Sequence, residues 1–146
     1  MKNKLYFAYG MNTNPTEMAL RCPGAIALGP AVLHGYRFEF KSFATIVPNP
    51  KDSVEGVLWS ITDPDEWALD ILEGYPDFYD KKNVTVIHKD VSHIAMTYIM
   101  NPREHGYAPS DSYYSMVSQG YQAFGLSQHQ LLEARSRSNR ETWIYE

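Results

Sequence analysis

The chain has 146 residues, 44% of them hydrophobic and 21% charged, with a formal net charge of −4. That composition describes one soluble globular domain, residues 1–146, large enough to bury a real core. The acidic balance excludes a protein built to hold a phosphate backbone, so no nucleic-acid partner is expected. The single cysteine, Cys22, excludes an internal disulfide and a cysteine-rich metal site. No stretch reaches membrane-spanning length, and Met1-Lys2-Asn3-Lys4-Leu5 lacks the apolar core of a secretory signal. Cytoplasm is the expected compartment, with no membrane partner.

In chain order, residues 5–9 read as a strand of β-branched and aromatic type that stops at Gly10. Asn14-Pro15 is a helix-start boundary, and residues 15–21 form a short helix. Residues 25–28 read as a short strand before Gly29-Pro30, and residues 31–40 as a longer one. Within the latter, Leu33, Tyr36 and Phe38 do not alternate cleanly, which implies burial on both faces or a bulge at Gly35. Residues 54–61 are a further strand. Residues 63–72 form a helix opening with Asp-Pro-Asp-Glu, where Asp63 caps, and Trp67, Ala68, Ile71 and Leu72 form one buried face. Strands at 79–88 and 93–100 follow, then helices at 110–124, capped within Ser110-Asp111-Ser112, and 127–138, capped by Ser127. Arg135, Arg137 and Arg140 read as a solvated helix end. Leu131, Leu132 and Trp143 read as packing back on the domain. The order of elements gives an α+β fold with a strongly curved or closed mixed sheet.

Most familiar chemistries find no support. The five histidines show no paired spacing for a metal, and no Gly-x-Ser-x-Gly elbow occurs. The loop after residue 9 has one glycine and no lysine, so it is not a nucleotide-phosphate loop. Its turn can nonetheless aim backbone N–H groups at an anion or a developing oxyanion. The second informative feature is Glu73, placed at the C-terminal end of a helix, where the macrodipole disfavours a carboxylate. It reads either as a polar residue closing the helix before a left-handed Gly74, or as a general base raised in pKa by apolar neighbours.

Taken together, these stretches resemble the γ-glutamylcyclotransferase (AIG2-like) family. Tyr6-Phe7-Ala8-Tyr9-Gly10-Met11-Asn12 is similar to the family's Tyr-Phe-Ala-Tyr-Gly-Ser-Asn, and Leu69-Asp70-Ile71-Leu72-Glu73-Gly74 to its Leu-Asp-x-x-Glu-Gly. Val54-Glu55-Gly56-Val57-Leu58-Trp59, Tyr98-Ile99-Met100-Asn101 and Pro109-Ser110-Asp111-Ser112-Tyr113 follow in the family's order, with Gly120 and Gly125-Leu126 beyond, so the resemblance spans residues 5–126. It implies a mixed β-barrel flanked by helices and a cofactor-free, metal-free lyase or acyl-transfer reaction. In that reaction the α-amine of a small γ-glutamyl compound attacks its own γ-carbonyl and expels an amine, leaving 5-oxoproline. The resemblance assigns Glu73 as the acid/base. It places Tyr6, Tyr9, Gly10, Met11, Asn12, Tyr79 and Tyr98 around the substrate, with backbone N–H groups of 10–12 holding the oxyanion. Tyr113 reads as a site residue or as packing at a helix start. The family's loop serine is Met11 here, which keeps a backbone donor and replaces any hydroxyl contact by an apolar one. The alternative is a non-catalytic small-ligand binding module on the same fold. Residues 127–146, a C-terminal helix and tail, lie outside the resemblance.

Overall fold

In a computed structural model of the chain, residues 3–102 and 107–145 are described, with side chains up to Asn139. Five strands close into a barrel: β1 (Lys4–Ala8), β2 (Ile26–Lys41), β3 (Phe43–Ile61), β4 (Tyr79–His88) and β5 (Val91–Met100), in the order β1-β3-β2-β4-β5. The sheet is mixed, because β1 runs antiparallel to β3 and parallel to β5. Four helices, α1 (Pro15–Arg21), α2 (Asp63–Glu73), α3 (Asp111–Ala123) and α4 (His129–Tyr145), accompany it. None of the described helices is long and apolar enough to cross a membrane.

The β2–β3 ribbon is longer than the sequence pattern implies. Residues 26–28 and 31–40 are parts of one strand, which continues through a tight reversal at Ser42 (φ 65°) into residues 43–53. That reversal has no glycine, proline or asparagine to mark it. Pro48, Asn49 and Pro50 look like breakers, but they sit where the pairing register jumps between His34↔Ser53 and Tyr36↔Pro48. The bulge expected at Gly35 is there, with φ 86°. Lys89 and Asp90, both at positive φ, make the two-residue turn that pairs His88 with Val91 across β4 and β5.

Helix α2 corrects two expectations. Its cap is Thr62, not Asp63: the Thr62 hydroxyl accepts the Asp65 N–H while the Asp65 carboxylate accepts the Thr62 N–H. The buried face is Asp65 and Leu69, whereas Trp67 (69% exposed) and Ile71 (63%) face solvent. The apolar quartet was therefore the wrong stripe. The capping box buries Asp65, whose Oδ1 also accepts the Gly24 N–H after α1, and this turns the helix about its axis.

The C-terminal helix packs back, as expected for Leu131, which is fully buried with Ala134 and Ser138; Leu132 is half exposed. Arg135 and Arg137 are not part of a solvated end. The Arg137 guanidinium donates to the Phe38 carbonyl at 2.8 Å, and Arg135 lies 4.1 Å over the Tyr114 ring. The side chains of Arg140 and Trp143 and the whole of His105 fall outside the described residues.

Candidate active site

Strand β1 delivers Tyr6, Phe7, Ala8 and Tyr9 into the core. Gly10 then opens a single 3-10 turn, Met11–Thr13, that leads through Asn14 into α1. Asn14 caps α1 by accepting the Thr16 N–H, with a longer contact to the Glu17 N–H, and Pro15 occupies the first helical position. Gly10 is required by crowding: a Cβ there would lie 2.9 Å from the Ala44 Cβ and 3.3 Å from the Tyr113 hydroxyl. From the other side, α3 docks on the turn through Gly120, where a Cβ would stand 2.1 Å from the Thr13 Oγ1. The loop is clamped between barrel and helix.

Glu73 is the last residue of α2, and Gly74 follows in the left-handed conformation, its N–H satisfying the carbonyls of Asp70 and Ile71. A cavity of about 470 Å³ opens beside it. Among the described residues that line it, Glu73 is the sole charged group, with Tyr6, Tyr9, Tyr79, Tyr98 and Tyr113 on the walls. Leu72, Phe43, Phe78, Met11 and Met116 supply apolar surface. Desolvation pushes the Glu73 carboxyl up to about 7, against the opposing pull of the Arg21 guanidinium. Leu72 and Phe78 supply part of that apolar surrounding; Ile71 and Tyr75, expected to contribute, face outward. The Asn12 amide nitrogen lies 3.1 Å from the Tyr6 hydroxyl, to which it donates, and 3.4 Å from the Glu73 Oε1.

The hydroxyls have distinct duties. Tyr9 donates to the Tyr98 carbonyl, Tyr79 to the Ala44 carbonyl at 2.6 Å, and Tyr98 to the Asp70 carboxylate at 2.6 Å. Asp70 is itself held by Lys81, which also binds Glu66. Tyr98 therefore has no proton left for a ligand and can only accept. Burial raises the phenols of Tyr6, Tyr9, Tyr79, Tyr98 and Tyr113, so all five stay neutral. The Tyr113 oxygen accepts the N–H of Ala44 at 3.0 Å.

All eight residues singled out in the sequence, Glu73 with Tyr6, Tyr9, Gly10, Met11, Asn12, Tyr79 and Tyr98, meet around this one cavity. Met11 forms part of its wall and places its sulfur 3.7 Å from the Arg21 guanidinium. Ser110 and Ser112, from the family-like segment 109–113, line it as well, as do Phe43 and Met116, which carry no sequence signal for doing so. Residues 6–118 match the family described as gamma-glutamyl cyclotransferase, AIG2-like. The chain belongs to that family.

The gamma-glutamylcyclotransferase of Mus musculus is 30% identical over 138 residues, covering 85% of this chain and 73% of the relative. That of Bos taurus is 28% identical over 135 residues, covering 84% and 72%. A solved gamma-glutamyl cyclotransferase superposes with a TM-score of 0.80 at 27% identity, over 93% of this chain and 86% of the other. The closed mixed barrel with four helices is thus the gamma-glutamyl cyclotransferase-like fold.

Proposed function

We propose that this chain cyclises the γ-glutamyl group of a small γ-glutamyl amino acid or amine to 5-oxoproline, with Glu73 as general acid and base. The observation that carries the reading is a lone half-buried carboxylate, raised to about 7, in an otherwise uncharged tyrosine-walled cavity. The names of the relatives support the same reaction class.

The nucleophile is the substrate's own α-amine, which arrives as an ammonium. Raising the carboxyl from 4.5 to about 7 makes proton transfer to it from that ammonium about 3 kcal/mol less costly than to an ordinary glutamate. Glu73 takes that proton, the freed amine attacks the γ-carbonyl carbon, and the carbonyl π electrons move to oxygen. Collapse of the tetrahedral intermediate breaks the original amide C–N bond. Glu73 returns its proton to the departing nitrogen and then relays the second proton of the attacking nitrogen the same way, so the substrate divides into 5-oxoproline, with a neutral lactam N–H, and an amine released as its ammonium. No other reactant is consumed. Attack is intramolecular, so holding the head group folded supplies much of the rate. The turn from Gly10 to Asn14, packed against Ala44 at one end and Gly120 at the other, is the part of the cavity wall that would hold it.

The test is 5-oxoproline release from a panel of γ-glutamyl amino acids, γ-glutamyl amines and glutathione. Release from at least one member is expected. Thermal stabilisation by these compounds with no release would contradict the proposal and leave a binding module.

A further inference from the structure

We propose that the outer half of this cavity is a subsite for an apolar leaving group. The preferred substrate is then a γ-glutamyl conjugate of an aromatic or long aliphatic amine rather than of an amino acid, a reading that rests on the cyclisation just described. The cavity is divided by chemistry. Its floor is polar: Tyr6, Tyr9, Asn12, Tyr79 and Tyr98 are all buried, and the Asn12 amide contacts both the Tyr6 hydroxyl and Glu73. Its rim is apolar. Among the lining residues, Phe43 (45% exposed) and Leu72 (40%) are the exposed large apolar ones, so they mark where the cavity meets solvent. The half-buried Phe78, Met11 and Met116 add to the apolar lining. The substrate's ammonium must reach Glu73, and its head group needs the hydroxyls and amide of the floor. The group attached to the γ-carbonyl is left facing the rim.

Phe43 is held in place there. It follows the reversal at Ser42, whose N–H donates to the Tyr107 carbonyl at 2.6 Å, and its ring meets that of Phe78 edge-on at 6.2 Å between centroids. Two such rings offer a bound ring or alkyl chain apolar contact without demanding a hydrogen bond from it. Charge points the same way. The γ-glutamyl head carries one ammonium and one carboxylate and is net neutral, and Glu73 is the sole charged group among the described lining residues. The carboxylate of an amino-acid leaving group would therefore enter an apolar rim with no counter-ion and in the field of Glu73. Arg21 does not answer it. Its guanidinium is paired with Glu17 at 2.9 Å, rests against the Met11 sulfur at 3.7 Å and does not line the cavity. Met11, where the family's motif has serine, carries the apolar lining into the loop itself.

The experiment measures kcat/KM for 5-oxoproline release from three conjugates. These are γ-glutamylphenethylamide, γ-glutamylphenylalanine, which adds one carboxylate to the same ring, and γ-glutamylmethylamide, which has no ring. The phenethylamide is expected to exceed each of the others by about 10-fold or more. In Phe43→Ala, a change at a residue nearly half exposed, its advantage over the methylamide should shrink to about threefold or less. That ratio is insensitive to a general loss of activity. A phenylalanine conjugate turned over as well as the phenethylamide, or a ring advantage absent from the wild-type protein or undiminished in Phe43→Ala, would overturn the subsite. Absence of 5-oxoproline release from every conjugate would instead overturn the cyclisation, and the subsite with it.

Discussion

Burial holds the Glu73 carboxyl at about 7, against 4.5 for an ordinary glutamate, so the folded state binds a proton there that the unfolded chain releases. Between those values stability falls as pH rises, by about 3 kcal/mol in all, because the native state binds more protons than the unfolded one. Glu73→Gln has no proton to lose. Its thermal midpoint should differ least from wild type near pH 4 and exceed it by several degrees near pH 8, as differential scanning fluorimetry across that range would record. A midpoint difference independent of pH would contradict the burial argument. Gly10→Ala forces a Cβ to 2.9 Å from that of Ala44, and overpacking of this kind costs about 1–3 kcal/mol in a denaturation experiment. At this scale Glu73 stands out in the sequence as an acid before a glycine at a helix end, a position that reads equally as a closing polar residue until the resemblance assigns it the acid/base role. The bond from the Ala44 N–H to the Tyr113 oxygen does not stand out: Ala44 is far away in the chain, and periodicity carries no trace of the pairing.

Helix α2 matters because it carries Glu73, and its orientation is set by the Thr62–Asp65 box rather than by its most apolar stripe. Leu69→Ala should therefore cost about 2–5 kcal/mol in chemical denaturation, as expected for a fully buried leucine. Trp67→Ala, on the outward face, should stay within about 0.5 kcal/mol of wild type. The reverse order would mean that the quartet of Trp67, Ala68, Ile71 and Leu72 is the buried face after all. Amphipathic pattern alone favours that quartet, and buried polar groups decide against it: Asp65 satisfies the Thr62 and Gly24 N–H groups, a pairing invisible to a hydrophobic count. The same blindness hid residues 43–53 of β3. Their prolines and asparagine mark a register jump within a ribbon, not its end.

Across the molecule, the C-terminal helix reaches the active loop by a continuous polar path. The Gln130 amide binds both the N–H and the carbonyl of Glu55 and donates to the Tyr121 hydroxyl at 2.7 Å. Tyr121, fully buried, donates in turn to the Tyr9 carbonyl at 2.6 Å, one residue before Gly10. Gln130→Ala should lower stability by about 1–3 kcal/mol through the groups it leaves unpaired. Thermal denaturation would measure this, and no loss would mean the path is dispensable. The closed barrel, the order of its motifs and the gathering of eight named residues at one cavity could be read from the chain before any coordinates. The return of α4 could be read only through Leu131, since its arginines act by long contacts to Phe38 and Tyr114.

The proposed reaction assigns both proton transfers to Glu73. The most direct measurement is 5-oxoproline formation by wild type and Glu73→Gln at saturating substrate and about pH 8, with folding checked by the thermal midpoint. The account predicts a loss of at least about 100-fold in a variant no less stable than wild type. Turnover matching wild type would contradict it.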